Sequence, residues 1–122
     1  MWVSPMAKLP IEVAETIWAL KRKLLEIIDA ATAAEESLFS TQGETELTIA
    51  VLDELKQVSE RAIPWFSRLS NLQVRIAESQ PDITFDMLDL LNRTIDQIQI
   101  ETPALERSIQ EVKQDWNLSW PF

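Results

Sequence analysis

Apolar side chains recur along this chain in alternating steps of four and three residues, and three long segments carry the pattern. In the first, Val13, Ile17, Leu20, Leu24, Ile27, Ala31, Ala34 and Leu38 fall on one side of a helix. In the second, Val51, Leu55, Val58, Ala62, Trp65, Leu69, Leu72 and Ile76 repeat the spacing without a miss. The third runs through Leu88, Leu91, Ile95, Ile98, Thr102, Leu105, Ile109, Val112 and Trp116, with Thr102 its one polar member. The spacing predicts helices over about 10–39, 44–80 and 82–117.

Punctuation supports those limits. Pro10 suits a first helical turn, where its missing N–H costs nothing. Thr41-Gln42-Gly43 stops the first helix, and Gly43 is the residue able to take a left-handed conformation there. Gln80 precedes Pro81 and so avoids the helical region, which ends the second. Asp82 or Thr84 can cap the third. Short connections make sequence neighbours antiparallel. The expected fold is therefore an all-α, elongated, antiparallel up-down-up bundle of three long helices, one domain over 1–122.

Two prolines interrupt the stripes. Pro64 and Pro103 each remove a backbone hydrogen bond, freeing the carbonyls of Glu60 and Gln99. Both stripes stay in register across the proline, which predicts kinks or near-collinear breaks. Thr102-Pro103 also reads as a cap and first turn of a new helix, so five helices is the alternative count.

Composition narrows the chemistry. Of 122 residues one is glycine and none is cysteine, histidine or tyrosine. Glycine-rich phosphate loops, thiolate zinc sites, histidine-assisted nucleophiles and the Glu-x-x-His pairs of di-iron bundles are all excluded. A net charge of −9 disfavours nucleic acid and anionic membrane surfaces. No run approaches a membrane span, and Met1–Lys8 has no charged region followed by an apolar one, which sets the cytoplasm as the expected location. Met6 is a possible start, with the five residues before it an extension. The apolar tail Trp116–Phe122 is expected to fold back over the bundle end or meet Trp2; a docking peptide is the sharper alternative.

The acids offer few sites. Asp82, Asp86 and Asp89 share one helical face and are the one candidate metal set, beside the Glu12/Glu15 pair, but Asp89 and Arg93 also stand in the favourable order for a surface ion pair. Glu35-Glu36 is a doublet of the kind all-α nucleotide pyrophosphatases use, yet Phe39 stands where a third acid belongs. No cofactor is expected. Lys21-Arg22-Lys23 wraps around its helix instead of forming a patch, and Lys21 interrupts a second apolar stripe. There a lysine either snorkels to water or meets a carbonyl freed at Pro64.

That second stripe is the most informative feature. Ile11, Trp18, Leu25 and Ile28 lie beside the main stripe of the first helix, as Ile83, Met87 and Leu90 lie beside that of the third. A three-helix core needs one apolar face per helix. The excess reads either as a wide core face or as an interface. The sequence therefore points to a non-enzymatic interaction module, an adaptor, regulator or assembly subunit acting on a protein partner or itself as a homodimer. The alternative is a small-molecule binder or magnesium-dependent nucleotide hydrolase using helix-face carboxylates.

Overall fold

A computed structural model describes residues 9–79 and 82–118. They form α1 (Ile11–Gln42), α2 (Glu46–Glu78) and α3 (Phe85–Asp115), packed on one another as a three-helix bundle. At 1.5 Å per residue each helix is about 46–50 Å long. The three expected stripes meet along the axis. Ile17, Leu24, Ile27, Ala31, Ala34 and Leu38 of α1 are buried against Leu55, Val58, Ala62, Leu69, Leu72 and Ile76 of α2, with the α3 stripe from Leu91 to Val112 closing the core. Val13, Leu20, Val51, Trp65 and Trp116 lie half-buried at its margins.

α2 and α3 pass through their prolines as single helices, so the count is three and the five-helix alternative does not hold. The reason is orientation. Pro64 and Pro103 are exposed, as are Glu60 and Gln99 one turn back, so water can satisfy each freed carbonyl.

The helix ends shift from expectation by up to three residues. Pro10 sits at the N-cap, with φ −53° and ψ 146°, and its carbonyl accepts from the amides of Val13 and Ala14. α1 also continues past Phe39 to Gln42; within this last turn the Ser40 hydroxyl bonds the Glu36 carboxylate and that of Thr41 bonds the Ser37 carbonyl. Gly43 then turns the chain at φ 72°, ψ −173°, a conformation side chains other than hydrogen rarely adopt. Thr45 caps α2: its hydroxyl accepts from the Thr48 amide, and the Thr48 hydroxyl accepts from the Thr45 amide while donating to the Gly43 carbonyl at 2.7 Å. The buried Thr48 side chain thus closes the α1–α2 hairpin. α2 ends at Glu78; the expected boundary at Gln80 and Pro81 lies outside the described residues.

Of the two caps foreseen for α3, Thr84 is the one used, accepting from the Met87 amide at 3.1 Å. At its far end Asn117 takes φ 51°, while Leu118 N–H reaches the Lys113 carbonyl and Asn117 N–H that of Gln114. This paired return closes the orphan carbonyls and lays Leu118 back on the core. The tail therefore folds back as far as Leu118; Trp2 and residues 119–122 lie outside the described residues.

Candidate interaction face

α1 carries two seams. The inner edge of its second stripe, Ala14, Lys21, Ile28 and Glu35, is half-buried, and opposite it α2 presents the half-buried Leu52, Ser59, Phe66 and Gln73. Both sets step by seven residues, the spacing that keeps one helix edge facing a neighbour over many turns. The seam is partly polar. Lys21 Nζ donates to Gln73 Oε1 at 2.7 Å and lies 4.5 Å from the Trp18 ring centre and 5.0 Å from that of Phe66. Lys21 therefore meets a side-chain amide and two aromatic faces, and no backbone carbonyl at Pro64 is needed to hold it. The Ser59 hydroxyl is buried with no hydrogen-bond partner.

Glu35 occupies the same seam. Burial raises its carboxyl above the usual range, nearby Glu60 adds to that, and Lys56 opposes it. The folded protein therefore holds this proton more tightly than the unfolded chain does. Ionisation of Glu35 opposes folding, so its share of stability is fully present in acid and is lost as pH rises through the unfolded value of 4.5 to the raised folded one. Glu35→Gln is expected to be more stable than the wild type at pH 7. Urea titrations of both proteins should show the difference shrinking toward zero below the carboxylate range.

Outside the inner seam lies the open face. Ile11, Trp18, Leu25, Thr32 and Phe39 follow one another at intervals of seven, and all are exposed: the four apolar members at 68%, 57%, 51% and 52%. Exposed Ile63 of α2, one turn before Phe66, widens the strip, and exposed Ile49 lies two heptads before Ile63. Ile28 does not share this exposure; it packs on the core. Nor do Ile83, Met87 and Leu90, which are partly buried against the core, with Met87 Sδ accepting from the Ser79 hydroxyl at 3.5 Å. Their bulk closes the α2–α3 corner.

Elsewhere charged groups join the helices, and Leu47, Val74, Phe85 and Ile100 are single exposed apolar residues on α2 and α3. Glu101 links α2 to α3: one oxygen accepts from Arg61 Nη2 at 2.6 Å and the other from Trp65 Nε1 at 2.9 Å, while Arg68 stacks 4.8 Å from the Trp65 ring centre. Lys23 pairs with Glu106 across α1 and α3 at 3.2 Å. Beside that pair an open hollow of about 360 Å³ is lined by Glu26, Asp29 and Glu106 over Ile27, Ala30 and Ile109. Asp82, Asp86 and Asp89 are exposed, and Asp89 is held by Arg93 at 3.1 Å, the surface pair expected from their spacing. Among the described residues no three acidic side chains come together as a metal site, and no helix is long and apolar enough to cross a membrane.

Set beside protein-family models, curated proteins and solved structures, the chain finds no match in any of the three.

Proposed function

We propose that the protein is a non-enzymatic, cytoplasmic helical interaction module that docks a protein partner on the α1 face. One observation carries this reading: four large apolar side chains stand exposed at multiples of seven residues along one edge of α1. Scattered exposed apolar residues are ordinary, but a contiguous patch is what monomers avoid. The edge runs along one continuous helix, as suits the helix-to-helix recognition used by adaptors and assembly subunits. Nucleic acid is an unsuitable partner for a chain of net charge −9.

The acid-lined hollow between α1 and α3 supports the second reading, a small-molecule binder, because its volume lies within the range of ligand pockets. Its carboxylates would repel nucleotide phosphates, and Glu106 is already paired with Lys23. Thermal shifts with magnesium, with and without nucleotides, would favour that reading if the midpoint rose.

The docking reading is tested by placing p-benzoylphenylalanine at position 18, and separately at Gln97 on α3, then irradiating source cells. A crosslinked polypeptide from position 18 and none from position 97 is the expected outcome. No adduct from position 18 would overturn the reading.

A further inference from the structure

The α1 edge has a symmetry that selects its occupant. Its members at 11, 18, 25, 32 and 39 are centred on Leu25. A second α1 laid antiparallel across it, about a two-fold axis near Leu25 and Glu26, sets Ile11 against Phe39, Trp18 against Thr32 and Leu25 against Leu25. The charged residues just outside the stripe are centred half a residue further on, between Leu25 and Glu26. Arg22 and Asp29 are both exposed, Asp29 at the rim where this edge meets the α1–α3 hollow, and neither has an ion-pair partner within the described residues. Across this axis Arg22 of each copy faces Asp29 of the other, twice over. Antiparallel helices pair such flanking positions on the same side of the seam, so the geometry brings both pairs together at once.

We infer that the occupant is a second copy of this chain, joined antiparallel through α1 with reciprocal Arg22–Asp29 pairs. The inference rests on the docking reading above and names its partner. From Ile11 to Phe39 the edge is about 42 Å long, and exposed Ile63 of α2 lies beside it. The ends work against it, because Glu15 then faces Glu36 of the other copy and each chain carries −9. Added salt screens that repulsion, so the dimer tightens as salt rises.

The test is sedimentation equilibrium of the intact chain and of four variants, with circular dichroism as the folding control. The expected wild-type mass is twice 14.0 kDa at micromolar concentration. Arg22→Asp or Asp29→Arg places like charges together twice, and each should weaken the dimer at least about tenfold, while the double swap restores it to within about threefold. Leu25→Asp should give a helical monomer. A dimer that the double swap fails to restore overturns the register. A monomeric wild type at every concentration and salt overturns self-association. Neither result touches the docking reading, which falls only if position 18 crosslinks nothing; a crosslink from position 18 to a different polypeptide keeps that reading and rejects this one.

Discussion

Leu24→Ala should lower the free energy of unfolding by about 2–5 kcal/mol, the range for deleting a buried leucine side chain. Leu24 is wholly buried between the three helices, where little can collapse into the space it leaves. A bundle of this length is stable by roughly 6–18 kcal/mol, so one substitution removes a large share of the total. Its neighbour supplies the control. Leu25 is half exposed on the open edge, and Leu25→Ala should change monomer stability by no more than about 0.5 kcal/mol. Urea titration of both variants, read at dilution below dimer formation, checks the contrast. Equal losses would mean that the two seams of α1 are wrongly separated.

The second large effect is at Trp65. Trp65→Ala should cost roughly 3 kcal/mol, the lower end for a tryptophan because the ring is only half-buried. Part of the loss is polar: Glu101 surrenders the indole N–H and keeps only Arg61, and Arg68 loses the ring it stacks on. Trp65→Phe separates these parts, retaining most of the packing while removing the hydrogen bond, and should cost about 1 kcal/mol. Combined with Glu101→Gln in a double-mutant cycle, it should show coupling between the two positions. Additive losses would show that the Trp65–Glu101 bond contributes nothing to holding α2 on α3.

The bundle is legible in the sequence because burial in a helix leaves a period, and the three stripes line the core where that period places them, except at Leu88, whose neighbour Met87 packs on the core instead. Helix ends are less legible, since they depend on single hydroxyls: Thr45 and Thr84 fix the starts of α2 and α3 by accepting from the Thr48 and Met87 amides. Buried Thr94 escaped for the same reason. A threonine reads as polar until its hydroxyl is seen satisfied by the Leu90 carbonyl. The Trp65–Glu101 bond spans 36 residues and depends on the axial level of two helices, which spacing within one helix does not encode. The open edge was half legible. Ile11, Trp18 and Leu25 stand out in α1, while Phe39 falls at the end of the predicted helix, where its distance of fourteen residues from Leu25 is the one sign that it shares the edge. The steps Ile49 to Ile63 in α2 carried the same signal. Ile83 and Leu90 also stand seven residues apart, with Met87 between them, yet they cover the core, so the heptad step alone does not tell an open edge from a covered one.

The up-down-up connectivity has a kinetic consequence. Each helix packs against its chain neighbour through a connection of a few residues, so much of the native structure joins segments close in sequence. Little loop-closure entropy must be lost before a contact forms, and helical proteins of this low contact order reach the folded state in about microseconds to milliseconds. The hairpin of α1 and α2, fastened at Gly43 and Thr48, is the natural nucleus: it aligns two of the three seams at once, and α3 then has a finished groove to zip into.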